Sequence, residues 1–214
     1  MKNAEFEQLH GRALTANAAG YFAGQRTSRR EFFRKAGVAG LGLAALGGGL
    51  LDNSRLLRAK TRIVEDRLLS LGIVLGKPIG RAGSYSSWVR TGNLVFISGQ
   101  GAVSRRGIEY RGKVGDTVSM DDAIASARLT AINIITHLRD ACGGDLDRVK
   151  QIVRLLGFVN CIPTFTRLPE VLDGASDLLI EVFGEKGQHA RFVAGVNSLP
   201  FDLSVTCEAV VEIE

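Results

Sequence analysis

The sequence predicts an α+β domain with the element order β-β-β-α-β-α-β-β, its two long helices lying on one face of a single sheet. Three observations lead there. Period-two runs occupy the first part of the mature chain, two long period-3.6 segments follow, and strand-like runs separate and close them. About 160 residues remain once an N-terminal leader is set aside, a size suited to one core.

Ile63 to Leu71 has helical spacing and ends at Gly72, and Pro78 to Gly83 reads as a loop. Tyr85 to Arg90 and Leu94 to Ser98 read as strands joined by a hairpin turn at Thr91-Gly92-Asn93. A third, weaker strand is expected over Ile108 to Lys113. Ser119 followed by Asp122 is a helix-start signature, since a hydroxyl and a carboxylate three residues apart can satisfy backbone N–H groups left free in the first turn. Ala123, Ala127, Ala131, Ile134, Ile135 and Leu138 then form one stripe, which Gly143-Gly144 stops. Val149 to Asn160 reads as a long strand. Leu168, Val171, Leu172, Ala175, Leu179 and Val182 share one face of a second helix ending near Gly184. Ala190 to Val196 and Ser204 to Ile213 close the pattern as strands, separated by a turn at Ser198-Leu199-Pro200. One helical layer leaves the other sheet face and an edge uncovered, so self-association is expected.

The domains expected are residues 1–51 as a leader, 52–61 as a linker and 62–214 as the folded unit. Residues 36–51 carry no charge and no polar side chain, and their six glycines disfavour a soluble helix. At 16 residues the run is also short of the roughly 20 that span a bilayer. Ser28-Arg29-Arg30-Glu31-Phe32-Phe33-Arg34-Lys35 before it resembles the twin-arginine (Tat) export signal. That resemblance implies passage through the Tat translocase to the periplasm or another extracytoplasmic space, with membrane attachment only if the leader is retained. Ala45-Leu46-Gly47 is a loose version of a small-x-small cleavage site.

The leader also accounts for most of the charge. Of 27 basic and 22 acidic residues, the first 51 positions hold seven and three, leaving 20 against 19. A folded unit so nearly neutral is a poor nucleic-acid binder, because phosphate contacts dominate that affinity. Cys142, Cys161 and Cys207 have no metal or redox spacing and read as buried thiols. No metal or cofactor is expected: His10 lies in the leader, His137 in mid-helix, and His189 stands alone beside a loop. Neither a G-x-S-x-G elbow nor a phosphate-binding glycine loop in a strand-helix setting is present.

Val89 to Gln100 (V-R-T-G-N-L-V-F-I-S-G-Q), Lys113-Val114-Gly115, Asp147 to Lys150, His189-Ala190-Arg191 and Ser198-Leu199-Pro200 together resemble the RidA (YjgF-like) reactive intermediate deaminases. The closer likeness is to the endoribonuclease L-PSP/chorismate-mutase-like branch, over roughly Ile63 to Glu214. The resemblance implies that family's β-β-β-α-β-α-β-β fold, a homotrimer with ligand clefts between subunits, and hydrolysis of small 2-imino or 2-enamino acids to 2-keto acids and ammonia. It places the carboxylate-gripping arginine at Arg191, whose planar fork of donors suits a carboxylate. It puts the cleft tyrosine at Tyr85, a carboxylate-binding backbone N–H at Val193, and a glycine allowing close backbone approach at Gly99.

One position departs from the family. The acidic residue that orients water or the imine nitrogen falls on Thr206, which has no carboxylate to exchange a proton near neutral pH. Glu208, two residues on and on the same strand face, is the alternative acid. A catalytic assignment therefore rests on Arg191, Tyr85, Thr206 and Glu208, and substrate binding on Arg191, Val193, Gly99 and Tyr85. The alternatives are a non-catalytic binder of small carboxylates or of a protein partner, and, disfavoured by charge, an endoribonuclease whose RNA surface would be Arg105, Arg106, Arg111 and Lys113.

Overall fold

A computed structural model describes residues 62–214. The leader and linker readings lie outside the described residues. The elements are α1 (Ile63–Ser70), β1 (Trp88–Thr91), β2 (Leu94–Gly101), β3 (Val103–Ser104), β4 (Gly107–Ile108), α2 (Met120–Ala141), β5 (Val149–Asn160), α3 (Leu168–Phe183), β6 (Ala190–Val196) and β7 (Val205–Ile213). Five strands form one sheet in the order β1-β2-β7-β5-β6, while β3 and β4 form a separate two-stranded ribbon. All sheet pairings are antiparallel except β5 with β6, whose connection runs through α3.

Helix α2 starts where the capping signature says: Ser119 Oγ accepts from Asp122 N at 3.1 Å and donates to the Asp122 carboxylate at 2.8 Å. Its six stripe residues are fully buried against the sheet and α3. The two helices meet backbone to backbone at Gly174, where an added Cβ would stand 2.3 Å from the Ile124 carbonyl oxygen. Helix α1 has no local side-chain cap. Asp147, more than 80 residues away, supplies one by accepting from Ile63 N and Val64 N at 3.1 Å each.

Two strand readings are corrected. The first strand begins at Trp88 rather than Tyr85, because residues 81–87 fold back on themselves: Arg81 Nη1 donates to the Tyr85 carbonyl and Ala82 N to the Tyr85 hydroxyl. The third strand is not at Ile108–Lys113. Tyr110 (φ 56°) and Gly112 (φ 115°) take left-handed backbone that breaks extension there, and only the two-residue pieces β3 and β4 pair. Gly112 is the one residue type that fits its place, since a Cβ would sit 2.1 Å from Thr117 Oγ1.

Strand burial alternates as a one-sided helical layer requires. Val205, Cys207, Ala209, Val211 and Ile213 of β7 are buried towards the helices, while Thr206, Glu208 and Val210 face away. On that uncovered face Val89, its cross-strand partner Phe96, and Phe192 are 44–55% exposed.

Candidate functional site

Strand β2 does not run straight into β7. Ile97 opposes Ala209 and Gln100 opposes Cys207, so Ser98 and Gly99 share the single residue Glu208, a β-bulge. Glycine is favoured at this close approach: a Cβ on Gly99 would lie 3.2 Å from Thr206 Cγ2. The bulge turns the end of β2 towards an open cavity of about 550 Å³ at the place where β2 ends and β7 begins. Five segments wall it: the 79–85 loop, the Gly99–Gly101 bulge end, the β3–β4 ribbon, the corner from Pro200 to Leu203, and the start of β7 at Thr206.

Three of the residues singled out from sequence meet there. Tyr85, Gly99 and Thr206 all line the cavity. The Tyr85 phenol accepts from Ala82 N at 3.3 Å, which leaves the hydroxyl proton available. Thr206 Oγ1 is enclosed and has no hydrogen-bond partner among the described residues, an unmade bond of the kind that usually costs about 1–3 kcal/mol.

The corner wall is conformationally strained. Phe201 (φ 58°) and Asp202 (φ 60°) are consecutive non-glycine residues in the left-handed region, each disfavoured by about 1–2 kcal/mol. Buried Asn160, 2% exposed, helps hold them. It accepts from Lys113 Nζ at 3.0 Å and donates to the Gly112 carbonyl at 3.2 Å, while Gly112 N donates to the Asp202 carbonyl at 2.9 Å. Lys113 Nζ also donates to the Asn197 carbonyl. The Lys113-Val114-Gly115 block noted in sequence is thus part of the cavity's scaffold.

Arg191 is not in the cavity of its own chain. It pairs with Leu155 of β5, a core residue, and therefore points to the helix side, whereas Thr206 pairs with Phe158 on the opposite face. Two strand spacings and three residues along the strand separate them, roughly 14 Å between backbones. On its own side Arg191 is held firmly. Nη1 donates to Asp173 Oδ1 at 2.7 Å and to Ser176 Oγ at 3.1 Å, both on α3. Ser176 Oγ lies 3.0 Å from His189 Nε2, and His189 Nδ1 lies 2.6 Å from the Gly187 carbonyl. A carbonyl only accepts, so in the neutral ring Nδ1 carries the proton and Nε2 accepts from Ser176. His189 is therefore no isolated histidine. These bonds occupy one nitrogen of the guanidinium, and its Nε and Nη2 edge has no partner within the described residues.

Val193 sits two residues along β6, half-buried and packed on the core opposite Gly157, on the edge strand whose outer backbone groups face no neighbour. Glu208 lies exposed on the Thr206 face, beyond the residues that line the cavity. Sequence reasoning missed Asp173 and Ser176. Their three-residue spacing on one helix face, beside Arg191 of the edge strand and His189 just before it, was the available signal. The cavity's Ile79 and Phe201 had no local signature, and Gln100 stood out only as the end of the Val89 to Gln100 block.

Residues 65–211 match the model of the family described as "YjgF/chorismate_mutase-like, putative endoribonuclease". Protein TCP17 of Trypanosoma cruzi is 40% identical over 151 residues, covering 70% of this chain and 94% of that protein. Among solved structures, a protein of unknown function from Agrobacterium tumefaciens is 38% identical with TM-score 0.67, covering 71% of this chain and 93% of the other. A "putative endoribonuclease" from Shewanella oneidensis is 33% identical with TM-score 0.68, covering 70% and 99%.

Proposed function

The chain belongs to the YjgF/RidA-like family, and on that premise we propose that it is an imine/enamine deaminase, hydrolysing 2-imino or 2-enamino acids to 2-keto acids and ammonia. The observation that carries this reading is the held guanidinium of Arg191. Asp173 and Ser176 take one nitrogen and leave the Nε and Nη2 edge free, the pair of parallel donors that grips a carboxylate bidentately. Because Arg191 and the Thr206 cavity lie on opposite faces of one subunit, the complete site is a cleft between copies. One subunit supplies Arg191 and the backbone around Val193, and its neighbour supplies Tyr85, Gly99 and Thr206. The exposed apolar row of Val89, Phe96 and Phe192 supports a homotrimer.

Imines hydrolyse unaided, so orientation and modest electrostatic help are sufficient. Arg191 fixes the carboxylate. Tyr85 donates its free hydroxyl proton towards the nitrogen or the attacking water. Thr206 Oγ1, enclosed and without a partner among the described residues, orients that water only once its side chain turns towards the cavity, and Glu208 is the next carboxylate along the same strand face for proton transfer. No metal or cofactor enters this scheme. The reading extends to export by the Tat translocase through residues 27–35, placing the activity outside the cytoplasm.

Thr206 in place of an acid favours a second reading, a non-catalytic carboxylate binder. An endoribonuclease is less well supported: Arg106 pairs with Glu109 and Lys113 is bonded to Asn160, so the candidate RNA surface offers less free charge. The deciding assay generates 2-iminopropanoate and larger imino acids in situ with an amino-acid oxidase and follows their decay with wild type, Arg191→Ala and Thr206→Glu. Activity lost in Arg191→Ala supports the deaminase. A silent wild type that Thr206→Glu awakens makes the protein a binder with an intact pocket.

A further inference from the structure

The cavity bounds what the substrate looks like. Its walls include Ile79, Ala82, Val103, Ile108, Phe201 and Leu203, and among the described residues no charged side chain lines it. Its polar side chains are few: the Tyr85 hydroxyl and the Gln100 amide, with Thr206 Oγ1 enclosed and Gln100 Nε2 already spent on the Ser98 carbonyl at 2.9 Å. A three-carbon imino acid has six non-hydrogen atoms and, at about 30 Å³ each, the share of a water molecule, fills no more than about 180 Å³. The cavity holds about 550 Å³, within the range of sites that enclose much larger ligands. A methyl-bearing substrate would leave most of these apolar walls against water.

We infer that the cavity receives a bulky apolar side chain, of branched-chain or aromatic size, on a 2-imino or 2-keto acid whose carboxylate stays outside it. The inference rests on the cavity being one half of the substrate site described above. The charge-free lining excludes the carboxylate, which goes to the unoccupied Arg191 edge of a neighbouring copy. The remainder of the molecule enters the apolar space, its nitrogen or keto oxygen level with Tyr85 and Thr206. The strained corner at Phe201 and Asp202, held by Asn160, keeps one wall from collapsing inward.

Titration calorimetry on the purified full-length protein tests this without needing turnover, using the stable products pyruvate, 4-methyl-2-oxopentanoate and phenylpyruvate. Each buried methylene adds roughly fourfold in affinity, so the three extra carbons of the leucine-derived acid predict a preference over pyruvate of at least about tenfold. Ala82→Trp, which fills the space, and Ile79→Asn, which makes a wall polar, both lie on the loop outside the core and should each reduce that preference to below about threefold. Equal or tighter binding of pyruvate overturns the inference, as does failure of both larger acids to bind, or a preference that survives both substitutions. Ammonia release measured in parallel judges the deaminase reading separately: bulky keto acids that bind without any imino acid being hydrolysed would sink the chemistry and leave the side-chain preference standing.

Discussion

Replacing Gly174 by alanine tests how the helical layer supports Arg191. In an ordinary helix interior the change would stabilise by up to about 1 kcal/mol, because glycine gives up more backbone freedom on folding. Here the new Cβ would stand 2.3 Å from the Ile124 carbonyl oxygen, 3.0 Å from its carbon and 3.0 Å from Ile124 Cγ2. Ordinary contact begins near 3.4 Å, so the overlap is about 1 Å. It falls on backbone, which cannot rotate away as a side chain can. The helices must separate along a seam where Gly174 is buried and Ile124 half-buried, and overpacking of this kind costs about 1–3 kcal/mol before any contacts are lost. A backbone overlap of this size belongs at the upper end of that range, so net of the helix gain a loss of roughly 2 kcal/mol is expected, which for a unit of this size lowers Tm by about 4–8 °C. Gly143→Ala is the control. That glycine has positive φ and nothing within 4 Å of the added carbon, so only the conformational penalty of about 1 kcal/mol applies. Gly174 also lies between Asp173 and Ser176, so displacement of α3 should raise KM for a carboxylate substrate more than the control does. Thermal melts and urea titrations of both variants decide it. An unchanged or raised Tm in Gly174→Ala would refute the packing argument.

Other expectations follow from the same geometry. His137 is 1% exposed, neither ring nitrogen has a partner among the described residues, and burial lowers its pKa from the usual 6.5, with Asp140 opposing. The unfolded chain then binds the proton more readily than the folded one. The contribution is fully present above about pH 6.5 and is lost as pH falls, by up to about 1.4 kcal/mol per unit. Urea titrations from pH 7.5 to 5 should show a shallower decline in His137→Leu, and matching slopes would contradict this. Burial pushes the Cys142 thiol up to about 11 and the Cys207 thiol to about 12, so a thiol reagent at pH 8 should label neither until the protein is unfolded. Asn160→Ala removes one of the acceptors for Lys113 and a donor to the Gly112 carbonyl in a buried setting, and should lose about 2–3 kcal/mol in chemical unfolding while sensitising the 199–203 corner to limited proteolysis. Ser176→Ala should raise KM severalfold with little change in kcat, since it loosens Arg191 without touching the reacting atoms; an equal fall in kcat would argue against a positioning role.

Much of the architecture could be read from residue spacing alone. Local spacing dictates which side chains share a face, and that is enough to place α2 from Ser119 and Asp122, to bury its alanine and isoleucine stripe, and to lay out β5, α3, β6 and β7. It failed at Tyr85 and at Ile108–Lys113, where the backbone turns to make cavity walls and long-range contacts outweigh strand propensity. Family likeness pointed to Tyr85, Gly99, Thr206 and Arg191 as members of one site. Only the tertiary structure divides them, because a residue's face depends on strand register and on the Ser98–Gly99 bulge, neither of which is encoded in neighbouring residues. The same holds for the cap that Asp147 gives α1 and for the support that Asp173, Ser176 and His189 give Arg191. Periodicity is a property of a few consecutive residues and survives in the sequence; a contact between segments 15 or 80 residues apart exists only once the sheet has set its register.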